Sequence, residues 1–230
     1  MKNTIAIIPA RLGSRRIKEK NIKKFFSKPI IRWTYEILEK SKIFSYIFVS
    51  TESEKIIKVC KKSGIKNFIK RPKKLAGDNT TIKEVMIHAL KELEKKKYHF
   101  ENVCCVFPCS PFLKVKNLKK AFKIIQNKNE NFVVHAITKY RHPPERCLMI
   151  NKKKEISLVN EKIMHKMTQS FKTKFHDVGQ FYFSKKKTWT KKSKNITRIG
   201  IELMPWESID IDNKEDWEFA VKIFRTFKKN

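Results

Sequence analysis

A chain of 230 residues with 40% hydrophobic content can bury one sizeable core, and no stretch reaches the roughly 18 to 20 apolar residues of a membrane-spanning helix. The 54 basic residues against 22 acidic give a formal charge of +32, which makes nucleic acid the first partner to weigh. Arginine supplies only nine of those 54, and the 45 lysines are spread over nearly every predicted helix; that dispersal fits solvated helix faces better than a nucleic-acid footprint, and remains compatible with a small polyanionic substrate.

The run Ile5-Ala6-Ile7-Ile8 is continuous and largely β-branched, as expected of a strand buried on both faces of a parallel sheet. Pro9 and Arg11 stop it well short of a secretory core, so a cytoplasmic location is expected. Further strand-like runs fall at 46–50, 67–69, 103–108 and 132–138, with helical periodicity in most of the gaps. That alternation predicts an α/β sheet with right-handed crossovers. Pro29 sits at a predicted first turn before IIRWTYEILEK, the helix 54–62 should stop at Gly64, and Thr80 or Thr81 can cap IKEVMIHALKELEKK. From 140 to 174 the rhythm changes to prolines and short apolar pieces, which predicts a polar hairpin or arm inserted into the sheet order and covering the site or a partner subunit. The strands resume with VGQFYFS, RIGIELMP and SIDI. A closing helix then begins at Asn213 as N-cap, with Asp216 three residues on. No repeat or linker divides the chain, so residues 1–230 read as one domain. Of the cysteines, Cys60, Cys104, Cys105, Cys109 and Cys147, none forms a C-x-x-C pair, so disulfides and structural zinc are not expected.

Ligands of open α/β sheets bind beyond the carboxyl ends of the strands, which points to the loop after the first strand. ARLGSRRIKEKN there is neither a P-loop nor a dinucleotide fingerprint, because it holds a single glycine. Three of the nine arginines fall within residues 11–16, so side-chain cations can bind phosphates where a glycine-rich loop would use backbone amides. In SIDID, residues 208–212, alternation puts Ser208, Asp210 and Asp212 on one face and Ile209 and Ile211 toward the core. Two neighbouring carboxylates suit a Mg²⁺ ion carrying a substrate phosphate; equally, Asp212 and Asn213 could simply cap the last helix, leaving Asp210 in a turn.

The segments IPARLGSRRIKEKN, VSTES, RPKKLAGDNTT, PCSPFL, FHDVGQFYF and SIDID together resemble, in order and over nearly the whole chain, the cytidylyltransferases that activate nonulosonic (sialic-type) acids. TQSFKTKFHDVGQFYF is most similar to the family's pseudaminic acid branch. The resemblance implies a Rossmann-like, mostly parallel sheet flanked by helices. It also implies the reaction of CTP with pseudaminic acid to give CMP-pseudaminic acid and pyrophosphate, with N-acetylneuraminic, legionaminic or Kdo acids as alternatives. Arg11, Ser14, Arg15, Lys20 and Asn21 match the family's CTP loop, with Asn21 reaching the nucleoside; Arg71 and the turn from Asp78 to Thr80 match a second nucleotide segment. Asp210 and Asp212 match Mg²⁺ ligands, and Gln169, His176 and Asp177 fall where the sugar acid would lie. Catalytic weight is expected on Arg11, Arg15, Lys20 and Asp210, whereas Arg16 and Lys18 are expected in the solvated background. A homodimer whose 140–174 arm helps close the neighbouring site is implied as well. Met167 stands where relatives commonly have an arginine, and Phe107 where the sialic branch has a glutamine. The pair Lys20-Asn21 is typically missing from the Kdo enzymes.

Overall fold

The computed structural model describes residues 3–128, 131–163, 165–191 and 196–228. Its strands are β1 (Thr4–Pro9), β2 (Lys24–Phe25), β3 (Lys28–Pro29), β4 (Tyr46–Thr51), β5 (Asn67–Lys70), β6 (Asn102–Val106), β7 (Phe132–Lys139), β8 (Leu148–Ile150), β9 (Ile156–Leu158), β10 (Phe175–Lys185) and β11 (Thr197–Glu202). The helices are α1 (Ile30–Ser41), α2 (Glu54–Lys62), α3 (Ile82–Lys95), α4 (Val115–Gln126), α5 (Lys186–Thr190) and α6 (Lys214–Lys228).

A seven-stranded sheet in the order β11-β7-β10-β6-β1-β4-β5 is the frame. Its pairs are parallel except at β10, which runs antiparallel to both β6 and β7. Alternation along β1 explains why both faces are covered. Ala6 and Ile8 pack into a cluster with Ile31, Tyr35 and Leu38 of α1, Ile56 and Cys60 of α2, and Leu118 and Ala121 of α4. Ile5 and Ile7 face Met86, Ala89, Leu90 and Leu93 of α3 on the other side. Cys60, Cys104 and Cys105 are buried apolar fillers in these clusters. A third cluster joins Ile17 of the first loop, Phe25 and Ile30, Ile211, and Ala220 and Phe224 of α6. It fastens the cationic loop and SIDID to the same patch of core.

The expected elements appear with boundary shifts of a few residues, and one expected strand is absent. SIDI has no ladder partner. The chain leaves the sheet where Leu203 N–H donates to Ile137 O at 2.8 Å, then makes a 3₁₀ turn at Pro205–Glu207 before running without regular secondary structure through 208–212. Ile211 is fully buried, as alternation required, but the Ser208 hydroxyl turns back to donate to Pro205 O. Residues 140–174 do contain a hairpin, β8 paired antiparallel with β9. Leu148, Met149, Ile150 and Ile156 of that hairpin are each more than half exposed. Among the described residues no helix is long and apolar enough to cross a membrane.

Helix ends settle the capping choices. Asn213 Oδ1 accepts from Asp216 N–H at 2.8 Å, and the Asp216 carboxylate accepts from the N–H groups of Asp212 and Asn213, closing a reciprocal box. Thr81, not Thr80, caps α3, in a capping box with Glu84. Because α3 starts at the rim of the cavity described next, Thr81→Ala should lower unfolding free energy by about 1 kcal/mol, read from the denaturant midpoint at unchanged m-value.

Candidate active site

A cavity of about 690 Å³ opens at the carboxyl ends of β1 and β6. Arg11, Ser14, Arg15, Lys20, Asn21, Arg71, Asp78, Thr80, Asp210 and Asp212, all expected nucleotide or metal residues, line it together. Four of them are cations, Arg16 adds a fifth to the lining, and each of the five is matched with a carboxylate of the chain itself. Asp78 binds Arg11 at 2.9 Å and also pairs with Arg15. Asp212 binds Arg16 at 2.8 Å and Lys20 at 3.2 Å, and Lys20 Nζ also donates to Ile211 O at 2.6 Å. Arg16 is exposed, as expected of a solvated residue, yet it also lines the cavity through its pair with Asp212, which was not expected. Ile17, packed in the third core cluster beside Ile211, turns the loop so that Arg16 reaches Asp212. Lys18 is exposed, as expected.

Glu52, which sequence reasoning did not single out, braces the loop. One of its oxygens accepts Leu12 N–H at 2.8 Å, and the other accepts Arg71 Nη2 at 2.9 Å. Arg71 is 5% exposed, so its guanidinium is largely committed to that pair. Desolvation opposes ionisation of Glu52, but the Leu12 and Arg71 hydrogen bonds prevail and hold its carboxyl below the ordinary glutamate value. The VSTES segment carried this residue; nothing local distinguished its role from that of any loop glutamate. Asn21 is also a brace. Its Nδ2 donates to Arg11 O at 2.8 Å and its Oδ1 accepts the Cys109 thiol at 3.3 Å. Burial pushes that thiol up to about 12, which leaves Cys109 protonated and unreactive.

The two aspartates differ. One side of Asp210 is open, yet desolvation by the pocket walls, followed by the charge of Asp212, raises its carboxyl above the usual range. Desolvation acts on Asp212 too, but Lys20 and Arg16 outweigh it and lower its carboxyl. Among the described residues no group of three or more His, Cys, Asp or Glu forms a metal cage. Two neighbouring carboxylates suit a hard cation that completes its shell with phosphate oxygens and water, and such an ion would compete with Arg16 and Lys20 for the oxygens of Asp212.

The expected sugar residues do not line this cavity. Gln169 lies in the arm turn Thr168–Ser170, with Nε2 3.8 Å from Met167 Sδ. His176 packs tilted against Tyr140, with ring centroids 4.8 Å apart. Asp177 lines an adjoining depression of about 310 Å³ with His135 and Tyr182. Its Oδ2 accepts the Tyr182 hydroxyl at 2.8 Å and lies 3.1 Å from His135 Nδ1, while Oδ1 accepts Gly179 N–H at 2.8 Å. Gly179, at φ 62°, sits within the register shift of β10 and lines the large cavity, so the bulge connects the two depressions. Phe107 packs edge-on to Tyr182 at 5.7 Å on the wall between them.

Comparison with known proteins gives this geometry a context. The sequence model of the family described as Cytidylyltransferase matches residues 5–224. The chain is 32% identical over 228 residues to pseudaminic acid cytidylyltransferase of Campylobacter jejuni subsp. jejuni serotype O:2, covering 98% of this chain and 97% of that one. It is 27% identical to the N-acylneuraminate cytidylyltransferase of Escherichia coli O18:K1:H7, covering 98% of this chain and 52% of that protein. A solved CMP:2-keto-3-deoxy-manno-octonic acid synthetase complexed with CTP superposes with a TM-score of 0.70 at 14% identity, covering 97% of this chain and 98% of that one, which supports the same fold. A match over nearly the full length, joined to a cation-lined cavity at the sheet's carboxyl edge, places the chain in the cytidylyltransferase family.

Proposed function

We propose that this cytidylyltransferase makes CMP-pseudaminic acid from CTP and pseudaminic acid. The observation that carries the reading is the convergence of Arg11, Arg15, Arg16 and Lys20 on one cavity whose internal counterions, Asp78 and Asp212, lie where a triphosphate would bind. The 32% identity to pseudaminic acid cytidylyltransferases supports the choice of sugar. In the reaction the sugar's anomeric hydroxyl oxygen bonds to the α-phosphorus and gives up its proton to solvent, the bond from that phosphorus to the bridging oxygen breaks, and pyrophosphate leaves. Phosphoryl-type transfer depends mostly on positioning and charge neutralisation, which the loop cations supply. Asp210 and Asp212 would hold Mg²⁺, which neutralises phosphate charge and acidifies a coordinated hydroxyl. The sugar acid would lie over the depression at Asp177, with His176 beside it on β10 and Gln169 reaching it from the arm. The exposed apolar hairpin β8-β9 suits contact with a second copy, so that the arm closes a neighbouring site in a homodimer.

Pyrophosphate release in the presence of CTP, Mg²⁺ and a panel of pseudaminic, legionaminic, N-acetylneuraminic and Kdo acids tests the substrate. Turnover should be fastest with pseudaminic acid; equal or faster turnover with another acid reassigns the sugar. Asp210→Asn should abolish turnover while calorimetry still detects CTP binding, and undiminished turnover would refute its metal role.

Glu52→Gln leaves a buried guanidinium short of its counterion and should destabilise the fold by about 2 kcal/mol, below the usual range for a broken buried pair because Glu52 keeps some solvent contact. Its folded carboxyl titrates below the unfolded value of about 4.3, so the contribution is complete above that pH and fades as pH falls through the folded value. The stability gap between wild type and Glu52→Gln should therefore narrow as pH falls below the unfolded value of about 4.3, measured by urea unfolding at each pH.

A further inference from the structure

The segment that carries Asp210 and Asp212 has no sheet partner, so its position must be set by side chains. Downstream it is held by the Asn213–Asp216 box and by Ile211 in the core. Upstream, one buried acid makes the connection. Glu207 is 2% exposed and ends the 3₁₀ turn three residues before Asp210. Its Oε2 accepts Asn117 Nδ2 at 3.2 Å, and its Oε1 lies 2.9 Å from Lys114 Nζ and 3.5 Å from Lys116 Nζ. These three residues flank or form the first turn of α4, where the helix dipole also favours a negative charge. The carbonyl of Glu207 accepts Gln180 Nε2 at 2.9 Å, and Gln180 O in turn accepts Phe107 N–H at 3.0 Å. Glu207 thus ties the start of the aspartate segment to α4, β10 and the cavity wall at once.

We infer that Glu207 is a positioning residue for the reaction: it fixes where Asp210 and Asp212 stand relative to the loop cations, and so sets the site's affinity for the cation. This rests on the reading of those aspartates as metal ligands. Stability alone gives little reason for a carboxylate here. Burying a charge costs desolvation, and a well-packed apolar side chain in such a place is commonly neutral or better. What a carboxylate adds is direction: its two oxygens face different partners, and the chain leaving the turn can then point only one way. Residues that orient ligands in this manner typically change metal affinity tenfold or more when altered.

The test uses the full chain with CTP and with Mn²⁺ as a paramagnetic substitute for Mg²⁺. Glu207→Gln keeps the volume and removes the charge. Lys114→Met removes one partner at a half-exposed position and keeps the test alive should the first variant fold poorly. Electron paramagnetic resonance should show Mn²⁺ affinity of the CTP-bound protein reduced about tenfold for Glu207→Gln and by a smaller factor for Lys114→Met. Half-saturating Mg²⁺ should rise in parallel, with kcat at saturating Mg²⁺ within about twofold and metal-free CTP affinity unchanged. Wild-type Mn²⁺ affinity in both variants overturns the inference, even if melting temperature falls, because a mere prop would lose stability without shifting metal demand. A wild-type protein that binds CTP but no Mn²⁺ overturns the metal assignment itself, and the inference with it.

Discussion

Like charges crowded on one short loop repel, and everything at the carboxyl edge of this sheet is arranged around that fact. Arg11, Arg15, Arg16 and Lys20 lie within ten residues of one another, and in the folded chain they face a common cavity. Carboxylates brought from elsewhere hold them in place: Asp78 from the turn before α3, and Asp212 from the segment before α6. These pairs are partly open to solvent, so their individual contribution to stability is modest. Their effect is organisational. A cationic pocket with its own counterions is already assembled within the chain, so a polyanion entering it would not have to order the loop.

The fold is built so that such long-range pairs can form. β1 ends at the loop, α3 begins opposite it, and the third core cluster pins Ile17 and Ile211 together. Glu52 adds a second brace at the end of β4, joining Leu12 to Arg71. The result is a site whose polar parts come from five separate stretches of chain, each anchored by apolar side chains in the sheet or beneath it.

Most of the architecture was legible because it rests on local patterns. Continuous apolar runs identified β1, β4 and β6, and cap residues identified the starts of α3 and α6. SIDI was misread as a strand for an instructive reason: its alternation is real, and Ile211 does face the core, but alternation reports burial on one side and says nothing about whether a neighbouring strand is there. The resemblance supplied the cavity-lining residues that no local pattern could group. What stayed hidden were the braces. Arg16 belongs to the site only because of a partner 196 positions away, Glu52 because of Leu12 forty positions earlier, and Glu207 because of Asn117 ninety positions earlier. Charged residues in a chain this rich in charge offer no local sign of which will be paired and which will face water.

The reversed direction of β10 has a consequence for the arm. Since β7 runs with β1 and β10 runs against it, the chain leaves β7 and enters β10 at the ligand edge, and everything between must emerge there. Tyr140 N–H bonded to Lys174 O at 3.0 Å closes the neck of this insertion. An excursion closed at its neck adds little to the order of the strands that flank it. Its length and sequence can drift while the sheet is preserved, so this stretch of the ligand edge is the part of the enzyme freest to be rewritten.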